Sequence, residues 1–584
     1  MTSQSSASFA NTPLSRDVVV LGGGLAGLTA ALQLKQASPD LTITVLEKHS
    51  HPAPEAAFKV GESTVEIAAM YFTSVLKLDD HLKQEQLPKL GLRCFFHNSK
   101  SPKLEDRVEF GSNQFFPRNT FQVDRGRLEN YLAEKLQSLG VEFLDQTHIR
   151  ELTVRSETEE GMAHLVAAER LGERINYEAS WLIDASGRAA LLKHKLGLAE
   201  ESSHNINAVW FRIGAKIDID TWCKDPSWTE HNHGRTSRWF STNHLMGEGY
   251  WVWIIPLASG STSIGIVSDP RLHPLDQQNS FEKALAWLEE YEPLCADAVR
   301  AEAHHLQDFL ALKNFSRRSS QLFSPNRWAI TGDSGIFIDP LYSPGSDYIA
   351  FSNTLICELI TRERSGKKIQ ALSKVYNDLL RSFADNTFLL YEDLYQIFGN
   401  PRVMPVKIVW DFAIYWAFLA FLFAHHKLTD LTMFMRVSND LKWLSTMNRE
   451  MQALFREWGA IEKEDLGRRF FDIASIGSLF ERNRVLTTPL SDEDFQTQMA
   501  ANLKWLSAIG HEMADMICLR CPELSRPAFQ GSYKDGARED SKGTMPEGEL
   551  LLAPLWSAFF GAVPRRDSQS DAFKQATRPA MQFP

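Results

Sequence analysis

The order of apolar and polar positions divides the chain into two parts. Up to about residue 360, short apolar runs typical of buried strands alternate with segments of helical periodicity. Beyond about residue 370, long helical periodicity rich in aromatic residues takes over, at 383–398, 408–424 and 441–458. The pattern predicts an α/β core followed by a mostly helical C-terminal region.

These changes in pattern set the predicted boundaries. The core is placed at residues 16–365 and the helical C-terminal domain at 366–525. Residues 1–15 are polar and predict a disordered leader, whereas the Gly-, Pro- and Ser-rich residues 526–584 predict an extended tail.

One stretch of the core has an unusually specific order of elements. The apolar run Val18–Leu21 predicts a buried strand leading into Gly22-x-Gly24-x-x-Gly27, and a helix follows at 28–34. A second strand at 41–46 ends at Glu47, 25 residues after Gly22. This is the pattern of a βαβ unit that binds a dinucleotide, with the pyrophosphate at the helix N-terminus and the acid on the ribose hydroxyls. These residues do not decide between FAD and NAD.

Composition narrows the class of partner. The net charge of −11 argues against nucleic acid as a partner. No secretory signal pattern is visible, so a cytoplasmic protein is expected. Six scattered cysteines predict reduced thiols; Cys518-x-x-Cys521 fits two thiols one helical turn apart, with a redox or zinc role as the alternative. No metal site is predicted.

The apolar segment Phe412–Ala424 is too short for a typical membrane span. A buried helix is the favoured interpretation. A wall of an apolar substrate site and an interfacial anchor are the alternatives.

Further motifs follow strands or open helices. Ser63-x-x-Glu66 predicts a capping box for a helix at 65–78. Trp251 and Trp253 alternate along a strand and share one sheet face, which fits ordinary core aromatics equally well. Arg125 opens a helical segment and suits either a cofactor contact or a surface ion pair.

Taken in order, these motifs resemble the flavin-dependent halogenases, a branch of the flavoprotein monooxygenases with the p-hydroxybenzoate hydroxylase fold. The resemblance covers about residues 15–355 and looks closest to the branch that acts on phenolic or pyrrolic substrates. It rests on Gly22–Gly27, Gly61-Glu62-Ser63, Asp184-Ala-Ser-Gly187, Trp251-x-Trp253-x-Ile255-Pro256, Gly332-Asp333 and Asp339-Pro340.

The fold implied is an FAD-binding, Rossmann-like α/β core with a mixed-sheet substrate region at about 90–120 and 205–310. The activity implied uses FAD reduced by a separate flavin reductase, oxygen, and chloride or bromide. A flavin C4a-hydroperoxide yields hypohalous acid, which passes through a tunnel to a lysine beside an electron-rich aromatic substrate, free or carried by a carrier protein. The lysine that matches is Lys89, with Lys59 and Lys83 as rivals.

The resemblance also assigns the remaining site residues. FAD contacts are implied for Gly22, Gly24, Leu25, Ala26, Gly27, Glu47, Lys48, Gly61, Glu62, Ser63, Arg125, Asp184, Gly332, Asp333 and Gly345. Trp251, Trp253, Pro256 and Tyr342 are implied to lie along the tunnel or beside the substrate, and Pro344, Gly345 and Ser346 to hold the halide.

The halide turn departs from the family pattern. Pro344 has no N–H to donate, and Asp347 adds a carboxylate close by. Two alternatives therefore stay open. One is a halogenase-like hydroxylase or oxidase that uses no halide, and the other is a non-catalytic flavin-binding or membrane-associated protein.

Overall fold

The structure, a computed structural model, describes residues 12–55, 60–97, 100–156, 163–226, 228, 237–529 and 550–561. Its strands are β1 (Leu14–Leu21), β2 (Ile43–Leu46), β3 (Leu87–Lys89), β4 (Leu92–Phe96), β5 (Val108–Gly111), β6 (Thr120–Gln122), β7 (Glu142–Leu144), β8 (Thr147–Thr153), β9 (His164–Arg170), β10 (Glu173–Asp184), β11 (Ala199–Glu200), β12 (Asn207–Ile213), β13 (Thr242–Gly247), β14 (Tyr250–Pro256), β15 (Thr262–Ser268), β16 (Leu306–Leu312), β17 (Arg318–Ser319), β18 (Phe323–Ser324), β19 (Trp328–Ile330) and β20 (Arg469–Asp472).

Helices cover both sheets and form most of the C-terminal region. The α-helices are Leu25–Ala37, Glu66–Met70, Asp79–Glu85, Arg125–Ser138, Leu191–Lys195, Phe281–Tyr291, Pro293–Ala301, Gly345–Arg364, Gln370–Phe388, Val403–Ile414, Ala420–Ala424, Leu431–Ile461, Gly477–Val485, Asp492–Arg520 and Ala553–Phe560, with π-helical turns at Tyr71–Val75 and Tyr415–Leu419.

The first sheet is built around the buried strand β1. Its order is β18-β19-β10-β1-β2-β7, with β8 and β9 added as a hairpin beside β10. Strands β1, β2, β10 and β19 are parallel, and Leu21, Asp184 and Ile330 lie in register at their carboxyl ends. The turns that follow these strands therefore meet at one edge, where open parallel sheets bind ligands.

The second sheet lies on the substrate side of the predicted fold. Its order is β16-β12-β15-β14-β13-β4-β5-β20, and every residue of its central strand β14 is buried. Helices Phe281–Tyr291 and Pro293–Ala301 pack on its outer face over a separate apolar core. The predicted fold class is confirmed, with an α/β core, a mixed sheet and a mostly helical C-terminal region.

The structure adds detail to the predicted boundaries at three points. The leader does not reach residue 15, because β1 begins at Leu14, which pairs with Tyr177. The helical C-terminal region contributes a strand, β20, which pairs in parallel with β5. The tail includes the helix Ala553–Phe560, whose apolar side chains are buried against the rest of the molecule.

The apolar segment of the C-terminal region lies in one continuous helical run. Among the described residues, Val403–Ala424 is the single helix long and apolar enough to cross a membrane by length and composition. Of its most apolar window, 78% is buried inside the fold, as expected of a core helix. All six cysteines are free thiols.

Candidate active site

A cavity of about 290 Å³, here called the nucleotide cavity, opens where β1, β10 and β19 end. Nine residues predicted to contact FAD line it: Gly24, Leu25, Ala26, Gly61, Glu62, Ser63, Arg125, Asp333 and Gly345. Six others do not: Gly22, Gly27, Glu47, Lys48, Asp184 and Gly332. The cavity also contains the tryptophans of β14.

The three glycines of the first turn have separate roles. Gly22 has φ +112°, and a Cβ there would lie 2.4 Å from the carbonyl oxygen of Ala185. A Cβ on Gly27 would lie 2.0 Å from the carbonyl oxygen of Gly22, so this glycine allows helix and strand to touch. Nothing lies within 4 Å of the corresponding position on Gly24, which faces the cavity. The helix Leu25–Ala37 therefore presents its N-terminus to an open space, as a bound pyrophosphate requires.

Two acidic residues predicted to bind the cofactor accept hydrogen bonds from the backbone of the surrounding turns. The Glu47 carboxylate accepts the backbone N–H groups of Gly23 (2.7 Å) and His49 (2.8 Å). The Asp184 carboxylate accepts those of Ser186 (2.9 Å) and Leu192 (2.7 Å). Both side chains are buried, and they hold the loops that surround the nucleotide cavity.

Charged side chains of both signs line this cavity. Arg125, Arg188 and Arg317 line it, and Arg125 also pairs with Glu129 at 2.8 Å. Its carboxylates are Glu62, Glu129, Asp333 and Asp339. Burial raises the pKa of Asp333, and the nearby arginines oppose that shift. An exposed helix N-terminus and guanidiniums suit the pyrophosphate of FAD, and carboxylates suit its hydroxyl groups.

Strand β14, backed by β15, forms one wall of the nucleotide cavity. Indole N–H groups of Trp251 and Trp253 donate to the Tyr395 hydroxyl (3.1 Å) and to Ser263 (3.2 Å), respectively. Trp253 lies across Gly265, where a Cβ would be only 2.2 Å from the indole ring. The centroids of the two indole rings are 5.7 Å apart, so the rings form a continuous wall. Pro256 ends β14 beside Thr262, away from this wall.

A buried ion pair holds the Gly61-Glu62-Ser63 loop in place. Glu62 is buried and accepts the Arg212 guanidinium at 2.7 Å and the Ser263 hydroxyl at 3.1 Å. Arg212 also binds Asp308 at 2.6 Å. Burial raises the pKa of Glu62, and Arg212 opposes the rise. Ser263 therefore connects this loop to the Trp253 wall.

A second cavity of about 170 Å³, here called the aromatic cavity, lies on the other side of the Ser343–Ser346 turn. The two cavities share Pro344 and Tyr348 as wall residues. Most of its aromatic surface comes from the helix Gly345–Arg364 and from the C-terminal region. The helix supplies Phe351, and the C-terminal region supplies Phe383, Tyr391, Phe412, Tyr415, Trp416 and Phe418. Its polar wall includes Glu66, Lys89, Arg118, Asp347 and Asp411.

Lys89 lies at the junction of the two cavities. Its ammonium donates to the Ser63 hydroxyl and to the Thr64 carbonyl, both at 2.7 Å. The side chain is 3% exposed, and burial lowers its pKa to about 7, although Glu66 and Asp347 oppose the shift. The rival Lys83 is exposed and pairs with Asp79 at 3.3 Å, whereas Lys59 lies outside the described residues.

The predicted capping box at Ser63 was wrong. The helix begins at Glu66 without a side-chain cap from its own sequence, because the Ser63 hydroxyl accepts Lys89 instead. Two distant residues cap it: Asp347 accepts the Ala68 N–H at 2.8 Å, and the Tyr415 hydroxyl accepts the Ile67 N–H at 3.0 Å. Tyr415 also donates to Asp347 at 2.8 Å.

The predicted halide turn lies at the start of the helix Gly345–Arg364. Tyr342 and Ser343 have φ values of 69° and 57°, which is a costly left-handed backbone for residues other than glycine. Pro344 is the N-cap, and Gly345 and Ser346 follow in the nucleotide cavity. Asp347, in the first turn of the same helix, lines the aromatic cavity and not the nucleotide cavity.

Tyr342 also faces the aromatic cavity. Its hydroxyl donates to Asp411 at 3.0 Å, and Asp411 also accepts the buried Lys407 ammonium at 2.6 Å and the Gln452 amide at 2.8 Å. This network fixes the far wall with residues from three separate segments.

Sequence reasoning did not assign several residues to the site: Glu66, Arg118, Glu129, His244, Arg188, Arg317, Tyr348 and Asp411. Arg118 lies two positions before Thr120, the residue of β6 that pairs with Lys89 of β3, and this pairing between distant strands leaves no local signal.

Comparisons with known proteins agree with this geometry. The FAD binding domain family matches residues 15–281. The flavin-dependent halogenase chlA of Dictyostelium discoideum is 28% identical over 447 residues, covering 69% of this chain and 70% of its own. The 1H-pyrrole-2-carbonyl-[peptidyl-carrier protein] chlorinase of Pseudomonas fluorescens is 25% identical and covers 65% and 80%. The chain is therefore similar to flavin-dependent halogenases over about two thirds of its length.

The fold is also found among solved structures. Halogenase PltM, in complex with phloroglucinol and FAD, superposes with a TM-score of 0.58 at 16% identity. The match covers 84% of this chain and 96% of PltM. The FAD binding domain match and the named relatives indicate that the chain is an FAD-dependent halogenating enzyme.

Proposed function

We propose that this protein halogenates an electron-rich, phenol- or pyrrole-like aromatic ring held in the aromatic cavity, with Lys89 delivering the halogen. The observation that carries the proposal is the position of Lys89. It lines the aromatic cavity and donates a hydrogen bond to Ser63, which lines the nucleotide cavity. The proposed path between the two cavities runs past Pro344 and Tyr348.

The nucleotide cavity would hold FAD through the helix N-terminus at Gly24–Ala26 and the side chains of Arg125 and Asp333. When bound and reduced by a separate flavin reductase, the flavin supplies the activation of oxygen that halide oxidation needs. Gly345 and Ser346, at the start of their own helix, would attract chloride or bromide. The tryptophan wall would keep the ring substrate away from the flavin.

Lys89 suits the final transfer for two reasons. A buried ammonium donates a short, charge-assisted hydrogen bond to hypohalous acid and increases the electrophilic character of the halogen. Because its pKa is lowered to about 7, the neutral amine is also accessible near neutral pH. Either form keeps the halogen beside the ring instead of releasing it to solvent.

The relatives support the substrate class. One acts on a pyrrole tethered to a carrier protein, and another is the monodechloroaminopyrrolnitrin halogenase PrnC of Pseudomonas fluorescens, 23% identical. The test should therefore include free phenols, free pyrroles and a carrier-tethered pyrrole-carbonyl group.

The experiment is turnover with FAD, a flavin reductase, NADH, oxygen and bromide, followed by mass spectrometry. The wild-type protein should give brominated product. Lys89→Met should lower the rate by at least about 10²-fold, the lower range for one proton-transferring group, while flavin binding is unchanged. Lys83→Met, which removes an exposed lysine, is the matched control and should retain full activity.

Two outcomes would reject the proposal. An oxygenated product formed without halide would identify a hydroxylase. Such a protein would not need the halide donor that Pro344, having no N–H, does not provide. Full bromination by Lys89→Met would exclude the lysine from halogen transfer.

A further inference from the structure

We propose that Asp347 is the general base that accepts the hydroxyl proton of a phenolic substrate. The inference rests on the proposed function and narrows the substrate class from phenols and pyrroles to rings that carry a hydroxyl group. It begins from a carboxylate that halogen transfer itself does not require.

The position of Asp347 is suited to this role. It is 3% exposed and lines the same cavity as Lys89, directly after the Pro344–Ser346 turn that separates the two cavities. A carboxylate has about four acceptor positions. Two are occupied, one by the Ala68 N–H and one by the Tyr415 hydroxyl, so two are left for a ligand.

The cavity explains why a base is needed. Its lining is mostly apolar, and an apolar surround disfavours ionisation of a phenol, whose pKa in water is about 10. The neutral phenol is a weaker nucleophile than the phenolate. A carboxylate and an ammonium on the same wall would take up the proton and stabilise the resulting phenolate, respectively.

The step conserves atoms and charge. The phenol O–H bond breaks, its proton goes to a carboxylate oxygen of Asp347, and the electron pair stays on the phenolic oxygen. That pair increases the electron density at the ortho and para carbons, one of which bonds to the halogen as the halogen–oxygen bond of hypohalous acid breaks. The hydroxide released takes up the proton of that carbon to form water, which restores the aromatic ring, and Asp347 returns its proton to the phenolic oxygen. Burial raises the pKa of Asp347 to about 8, so the population of its base form, and with it kcat/KM, should increase as the pH rises through this value.

The groups that face Asp347 come from every neighbouring element. Glu66 raises its pKa by repulsion, whereas Lys89 and the Tyr415 hydroxyl lower it. Tyr348 and Tyr391 are also close, and burial keeps both neutral by raising their pKa. Glu66 and Asp411 are the other buried carboxylates of this cavity. A Glu66 oxygen accepts the Asn483 amide at 2.9 Å, whereas Asp411 accepts the Lys407 ammonium, the Tyr342 hydroxyl and the Gln452 amide.

The test compares Asp347→Asn with wild type on a series of fluorinated phenols of increasing acidity and on the methyl ether of the parent phenol. If Asp347 is the base, the variant should lose at least about 10²-fold in kcat/KM on the parent phenol. The loss should shrink as the phenol becomes more acidic and disappear for phenols already ionised at the assay pH. The ether, which has no proton to give, should react equally with both proteins.

Two variants test the assignment through the pH profile instead of the rate. Tyr415→Phe removes a donor to the carboxylate, so the acidic limb of kcat/KM should move to higher pH. Glu66→Gln removes a repelling charge, so the limb should move to lower pH. Retention of FAD and the melting temperature show whether Asp347→Asn is folded. If it is not, the shifts in the pH profiles of Tyr415→Phe and Glu66→Gln still test the proposal.

An equal loss across the phenol series, the ether included, would overturn the proposal and leave Asp347 as a helix cap alone. Pyrroles brominated as fast as phenols, with no effect of Asp347→Asn, would overturn it too. Failure of the wild type to halogenate any ring would instead reject the proposed function.

Discussion

At the scale of single residues, burial sets the chemistry of the junction between the cavities. Two groups that carry opposite charges in water, Lys89 and Asp347, have their pKa values moved to about 7 and about 8. Desolvation is the largest cause in both cases, because each charge has been taken out of water. The site therefore exchanges protons close to neutral pH, where isolated lysine and aspartate side chains do not.

This burial should make stability depend on pH. The pKa of Asp347 is about 8 in the folded protein against 3.8 ordinarily, so between these values the folded state keeps a proton that the unfolded chain has released. Raising the pH through this range therefore lowers the free energy of unfolding. Asparagine does not titrate, so the melting temperature of Asp347→Asn relative to wild type should increase from pH 5 to pH 8. Calorimetric melting of both proteins checks this, and a constant or falling difference would contradict it.

The sequence allowed the lysine to be predicted but not its surroundings. Lys89 was assigned by its position in a motif, which is a local property. Asp347 was expected beside the halide turn, but its contacts to Ala68 and Tyr415 come from segments far away in the chain. Glu47 and Asp184 were assigned to the ligand because a pattern does not reveal which backbone N–H groups compete for a carboxylate.

At the scale of elements, two helix N-termini make the nucleotide cavity favourable for anions. The helices Leu25–Ala37 and Gly345–Arg364 both begin at the nucleotide cavity. Free N–H groups and the helix dipole make both ends favourable for anions. Glycine spacing predicted the first, and the second was predicted only through the family resemblance.

The second helix offers a direct test of halide binding. Pro344 has φ −74° and ψ −12°, values that any residue can adopt, so Pro344→Ser should fit without strain. The serine adds a backbone N–H at the helix start. One more hydrogen bond to an anion is worth about 1.5 kcal/mol, so the KM for bromide should fall about tenfold.

Steady-state kinetics over a range of bromide concentrations measures this, together with the flavin affinity, which should not change. Pro344→Ala adds the same N–H without a hydroxyl and should behave alike. If neither variant alters the KM for bromide, the halide does not bind at this helix terminus.

At the scale of the whole molecule, the C-terminal region is built into the catalytic core. It supplies β20 to the second sheet and most of the aromatic cavity wall. The final helix Ala553–Phe560 then joins several parts of this region. Glu512 accepts the Trp556 indole N–H at 2.7 Å, and Arg402 and Arg469 donate to carbonyl groups of the same helix. Helical periodicity predicted the helices here, but not a strand only four residues long or its distant partner.

The final helix should therefore contribute to global stability. Trp556 is fully buried, and truncation of such a side chain to alanine costs about 3–5 kcal/mol. Trp556→Ala should lower the urea midpoint of unfolding measured by circular dichroism. Leu551→Ala, at a position 39% exposed just before the helix, is the control and should change stability by less than about 0.5 kcal/mol. Equal effects of the two variants would mean that the helix contributes little.

The hydrogen bond between Ser63 and Lys89 also has a thermodynamic meaning. Ser63 belongs to the loop that would contact the flavin, and Lys89 belongs to the wall that would contact the ring. A ligand that displaces the serine hydroxyl changes the hydrogen bonding of the ammonium, and a ligand that recruits the ammonium releases the hydroxyl. Linkage makes such an effect reciprocal, so occupancy of either cavity changes the affinity of the other by the same factor. One serine thus lies where binding in one cavity would be coupled to binding in the other.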